Sequence, residues 1–227
     1  MSASRPFDLI VFDLDGTLAD TALDIAHALN VTLVEAGLPS HPIETVVSYV
    51  GDGAARLIER AVPRDRPELD LAALLGRFVV HYEARPCVDS RLYPGIAELL
   101  AELAAAGLQT AVLTNKPGPL ARRVVETLLP AHRFQAVIGD ADGFPRKPDP
   151  AGARTLIERC ATTADRTAIV GDGIPDVQLA RALPARVVAA AWGYSTRARL
   201  SAERPTWIAD TPRDVRKLLL PDVTVGG

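Results

Sequence analysis

The sequence is short of the features that most often declare a function. It has two cysteines in 227 residues, Cys87 and Cys160. They stand in no metal-ligand spacing, so two reduced thiols in a cytoplasmic protein are expected rather than a disulfide. The four histidines, His27, His41, His81 and His132, are scattered and form no ligand pair. The formal net charge is only −3, which points to neither nucleic acid nor an anionic membrane as partner. No apolar run approaches the roughly 20 residues needed to span a bilayer. Residues 1–8 hold no apolar core of a secretory leader, so none is expected. Internal repeats and low-complexity segments are absent. What is present is 48% hydrophobic and 23% charged residues, the balance of a globular chain with a proper core. The length allows one large domain or two small ones.

Residues 7–20 stand out. They begin as an apolar, β-branched and aromatic run, the pattern of a strand buried on both faces. The run then ends on Asp13, Asp15, Gly16 and Thr17. Isolated buried charge is expensive and is normally paired or metal-bound. This stretch therefore predicts acids at the carboxyl end of a central strand, with a cation nearby.

The spacing of Leu23, Ala26, Leu29 and Leu33 predicts a helix over 20–37, stopped by Gly37 and Pro39. Residues 40–90 read as short helices (43–50, 54–61, 69–83) with no convincing strand. From Tyr93 strands and helices alternate: helices over 94–106, 118–129, 150–160, 175–182 and 213–220, strands over 108–114, 134–139, 166–171, 185–192 and 206–209. Such alternation implies right-handed crossovers and a mostly parallel sheet. The expected fold is α/β, a Rossmann-like doubly wound core formed by residues 1–19 and 91–227. Residues 20–90 are expected to be an inserted all-helical cap.

Ligands of an open α/β sheet gather beyond the carboxyl ends of its strands. The expected strand ends carry Asp13 and Asp15, then Thr114, Asn115 and Lys116, then Arg146, Lys147 and Pro148, then Gly171 and Asp172 with Asp176 beyond. Acids from two strands can hold Mg²⁺, which takes oxygen ligands and keeps several waters. A carboxylate can act as nucleophile and form an aspartyl-phosphate. A second carboxyl two residues on can protonate the leaving oxygen and then deprotonate water. A hydroxyl, backbone amides and a lysine can bind the oxygens of a transferring phosphoryl group.

In this order and spacing, Asp13-Leu14-Asp15-Gly16-Thr17-Leu18, Thr114-Asn115, Lys147-Pro148 and Gly171-Asp172 with Asp176 resemble the four motifs of the haloacid dehalogenase (HAD) superfamily. Tyr93-Pro94-Gly95, Thr114-Asn115-Lys116-Pro117, residues 145–150 and Gly193-Tyr194 are similar to its phosphoglycolate phosphatase branch. The resemblance implies Asp13 as nucleophile and metal ligand. It implies Asp15 as acid/base, lending its backbone carbonyl to the metal. Thr114, Asn115 (through its amide) and Lys147 would bind phosphate, Asp172 would ligate Mg²⁺, and Asp176 would orient a bound water or the lysine. An acid at Asp15 suits a phosphate-ester leaving group better than a halide. In the fourth motif, Gly173 and Pro175 stand where relatives more often have Ser and Asn; Pro175 also suits the first turn of a helix.

Within the expected cap, Gly51 and Gly53 lead into a helix whose free amides make an anion site. A substrate carboxylate there, with Arg56 nearby, is one reading; a tight turn with a solvated arginine is the other. The expected activity is Mg²⁺-dependent hydrolysis of a small phosphorylated metabolite, foremost 2-phosphoglycolate, by a monomer or homodimer. A sugar phosphomutase or pyrophosphatase would share the site, and a non-catalytic phosphate-binding module is the third alternative.

Overall fold

The computed structural model describes residues 6–220. Its main sheet has six strands in the order β5-β4-β1-β6-β7-β8, all parallel. They are β1 (Leu9–Phe12), β4 (Gln109–Pro117), β5 (Val137–Asp140), β6 (Thr167–Gly171), β7 (Arg186–Ala190) and β8 (Trp207–Ala209). The chain winds outward from β1 in both directions. The strand order therefore reverses between β1 and β6, where a doubly wound sheet opens its ligand crevice.

The alternation of β1 explains its central place. Ile10 and Phe12 join one apolar cluster, with α5 (Ile96–Ala105), α6 (Gly118–Leu128) and α10 (Pro212–Leu219). Leu9 and Val11 join the cluster on the opposite face, with α7 (Ala151–Arg159) and α8 (Ile174–Ala182). All four β1 residues are buried. At about 25 cal/mol per Å², such burial is worth some 1.5–3 kcal/mol per large apolar side chain. The strand that ends on Asp13 is thus held on both faces.

Residues between β2 (Ala19–Asp20) and β3 (Arg91–Leu92) form α1 (Ala22–Glu35), α2 (Ile43–Tyr49), α3 (Ala54–Ala61) and α4 (Leu71–Ala84). These four helices have an apolar cluster of their own, joined by Leu120 of α6. The outgoing and returning chains pair antiparallel, Ala19 with Leu92 and Asp20 with Arg91. This two-residue ribbon has no sequence signature, because its partners lie some seventy residues apart. Buried Asp24 of α1 pins the returning chain by accepting from the Asp89 and Ser90 amides and the Ser90 hydroxyl.

The structure corrects several local expectations. Leu23 is 57% exposed, and α1 instead buries Ile25, Ala26, Leu29 and Leu33. At about 100° per residue, Leu23 lies on the far side of the helix from Ile25. The strand expected over 108–114 continues to Pro117, which pairs with Asp140. The helix expected from Pro94 starts at Ile96, after Gly95 in the left-handed region (φ 90°). A further short helix, α9 (Arg197–Ala202), capped by Thr196, went unread in the sequence.

Candidate active site

The acids meet where β1 and β6 lie side by side. Phe12 is in register with Val170, so Asp13 leaves β1 opposite Gly171 and Asp172. Carboxylate oxygens of Asp13, Asp172 and Asp176 lie within 4.8 Å of one another. Three hard oxygen donors this close form a donor set suited to a divalent cation. The carboxylate of Asp15 is not part of this group.

Lys147 reaches the same point from the loop after β5. Its ammonium is 2.8 Å from Asp13 Oδ1 and 2.7 Å from Asp176 Oδ1. Burial opposes the Lys147 charge, yet the two carboxylates outweigh it and raise its pKa. Burial, then the charges of Asp13 and Asp176, push Asp172 up to about 8. Burial likewise raises Asp176, with Lys147 opposing. One lysine thus compensates a three-acid cluster only in part, which leaves a net negative charge suited to a divalent cation.

The loop after β1 is shaped around Asp172. The Thr17 hydroxyl donates to Asp172 Oδ1 (2.9 Å) and accepts from the Asp172 amide (3.0 Å). The Tyr194 amide donates to Oδ2 at 2.7 Å. Gly16 has φ +83°, and a Cβ there would stand 2.4 Å from Asp172 Oδ2. Only glycine allows both that conformation and that approach. Both hydrogen bonds to Asp13, from the Leu14 amide and Lys147, fall on Oδ1. Among the described residues, Oδ2 takes none.

Thr114 and Asn115 end the straight part of β4 and line a cleft with Asp13 and Asp15. Helices α1, α3 and α4 supply its far wall through Ile25, Leu57 and Tyr82. Gly51 and Gly53 border it. The Asn115 side chain ties the layers together, donating to the carbonyls of Gly51 (3.0 Å) and Lys147 (3.2 Å) and accepting from the Lys147 amide (2.8 Å). Arg146 donates to the Asp52 carbonyl at 3.0 Å. Arg56 lies elsewhere. It is exposed, pairs with Glu59 and borders a different surface groove.

A family model for haloacid dehalogenase-like hydrolases matches residues 10–190. The chain belongs to the haloacid dehalogenase-like hydrolase family. A phosphoglycolate phosphatase of Agrobacterium fabrum is 40% identical over 197 residues, covering 85% of this chain and 84% of its own. One from Rhodospirillum rubrum is 38% identical over 193 residues, covering 82% and 80%. A crystal structure of a predicted phosphoglycolate phosphatase from Haemophilus somnus superposes with a TM-score of 0.86 at 29% identity, over 95% of this chain and 99% of its own. Family and relatives together make the chain a phosphatase.

The superfamily motifs do not account for everything around Asp15. Lys116 Nζ contacts both Asp15 oxygens, at 2.9 and 3.2 Å, and donates to the Tyr82 hydroxyl at 2.5 Å. The Thr21 hydroxyl adds a 2.6 Å bond to Asp15 Oδ1. The sequence reading gives Lys116, Tyr82 and Thr21 no role. A signal for Lys116 was there: it stands within Thr114-Asn115-Lys116-Pro117, in a strand that is buried along most of its length. Tyr82 offered none, since an aromatic at helical spacing reads as core. Trp192 is half-buried and donates to the Thr17 carbonyl at 3.1 Å.

Proposed function

We propose that the chain is a Mg²⁺-dependent phosphatase that hydrolyses 2-phosphoglycolate through an aspartyl-phosphate on Asp13. The observation that carries this reading is the meeting of Asp13, Asp172, Asp176 and Lys147 at one point of the sheet's carboxyl edge. The names of the 40% and 38% identical relatives support the substrate.

Each residue then has a task. Asp13 attacks phosphorus through Oδ2, while the Leu14 amide and Lys147 hold Oδ1 and fix its direction. Asp15 gives the leaving oxygen a proton and later takes one from the attacking water. Thr114, the Asn115 amide and Lys147 bind the phosphoryl oxygens. Asp13, Asp172 and the Asp15 carbonyl would hold Mg²⁺, which would supply positive charge to offset these acids and the phosphoryl group. Asp176 orients Lys147; its two oxygens are occupied by Lys147 and the Gly173 amide. Residues 20–90 act as a cap that shuts water out of the cleft. Gly51 and Gly53 shape the cap loop over the substrate. Arg56, exposed and paired with Glu59, is left out of the substrate contacts.

Phosphate release from a panel of phosphorylated metabolites tests this reading, with Mg²⁺ and with chelator. Phosphoglycolate should give the highest kcat/KM, and chelation should stop turnover. Isomerisation of a hexose phosphate exceeding phosphate release would instead mark a mutase. No turnover by a folded protein would mark a binding module.

A further inference from the structure

Lys116 is nearly sealed from solvent, its side chain 2% exposed, yet it borders the substrate cleft. Among the described residues that line that cleft, it is the only cationic side chain. Lys147 lies outside that lining, at the phosphoryl end between Asp13 and Asp176. Arg56 and Arg146 border the other groove, where Arg56 pairs with Glu59 and Arg146 with Asp140. The cleft also has apolar lining from Ile25, Leu57 and Pro117. A charge in such a setting acts more strongly than one in water.

From this geometry we infer that Lys116 recognises a carboxylate on the leaving group of the substrate, and that Tyr82 positions it. The inference rests on the phosphatase reading above and names the residue that selects for an acidic substrate. Lys116 stands beside Asp15, the residue assigned to the leaving oxygen, so it faces the part of the substrate beyond phosphorus. An ammonium has three N–H groups. One goes to Tyr82, and Asp15 takes the rest through two oxygens, the second at 3.2 Å. Giving up that longer contact frees an N–H for a substrate carboxylate. Tyr82 comes from α4, on the far wall of the cleft, and its ring also packs against Lys116 Nζ at 4.3 Å from the centroid. The recognising charge on the sheet is thus held in place by the helical layer.

The test compares kcat/KM for phosphoglycolate and for ethyl phosphate, which has the same two-carbon chain without the carboxylate, in wild type, Lys116→Gln and Tyr82→Phe. Glutamine can still donate to Asp15 and Tyr82 but carries no charge. Lys116→Gln should lose roughly 10- to 100-fold more on phosphoglycolate than on ethyl phosphate, the worth of a buried charge-assisted hydrogen bond. Tyr82→Phe keeps the charge and loosens its position. It should raise KM for phosphoglycolate by about threefold to tenfold with a smaller change for ethyl phosphate. Equal losses on both substrates in Lys116→Gln overturn the role of Lys116 and leave the phosphatase reading standing. If that variant does not fold, an unchanged substrate ratio in Tyr82→Phe overturns it. A wild type with no preference for phosphoglycolate overturns the substrate reading and this inference together.

Discussion

Asp24 offers the sharpest quantitative test of how the helical layer is anchored. Its carboxylate is buried, and Oδ2 alone accepts from the Ser90 amide (2.8 Å), the Ser90 hydroxyl (2.6 Å) and the Asp89 amide (3.1 Å). Oδ1 adds only a longer contact of 3.2 Å with the Asp89 amide. Asp24→Ala would leave these donors without their acceptor, and Ser90 is itself fully buried. A hydrogen bond to a charged group contributes about 1.5–3 kcal/mol. The three share one carboxylate and are not additive, so a loss of about 3 kcal/mol is expected. For a chain of this length, 1 kcal/mol moves Tm by about 2–4 °C, which gives a drop of about 6–12 °C. Asp24→Asn can place its carbonyl at the Oδ2 position and keep all three bonds, losing only their charge assistance. It should cost about 1 kcal/mol, or about 2–4 °C. Thermal unfolding measures both, and limited proteolysis should show earlier cleavage near residues 85–90 in the alanine variant. An alanine variant within about 2 °C of wild type, or an asparagine variant as damaged as alanine, would refute the reasoning.

Two further predictions concern the acids. Asp13→Asn should abolish turnover while the protein still folds and binds inorganic phosphate, because an amide cannot form the acyl-phosphate; phosphate release above the uncatalysed background, measured in single-turnover assays, would remove Asp13 as nucleophile. Without a divalent cation, folded Asp172 holds its proton up to about 8, whereas an unfolded carboxyl titrates near 4. Between those values the folded state binds the extra proton, so stability falls as pH rises through the window. Chelated protein should melt lower at about pH 8 than at about pH 5, Mg²⁺ should erase the difference, and Asp172→Asn should lack it; a melting temperature that climbs over the same window contradicts the crowding of acids described here.

Much of the architecture was legible because it is written locally. The apolar run of β1 ends abruptly on Asp13, and the strand–helix alternation from Tyr93 onward leaves little choice but a parallel sheet. Among the features that escaped are contacts made by distant chain segments and side-chain direction on helices. The ribbon of β2 and β3 pairs residues with no local pattern, and Leu23 sits at an apolar position in sequence on the solvent side of its helix. Arg56 follows the cap glycines in sequence, but the turn of α3 carries it away from the cleft.

By itself, the sequence determined which chemistry is available: paired acids, a hydroxyl and a lysine at successive strand ends, in an order that marks the family. Strand termini are set by short-range periodicity, and a parallel sheet brings its carboxyl ends to one edge whatever the details of packing. Tertiary structure alone decided how Lys116 is paired: it came to lie against Asp15 and Tyr82 rather than in solvent. Those contacts depend on side-chain direction and on how two separately packed apolar clusters meet, and neither quantity is encoded in any one stretch of chain.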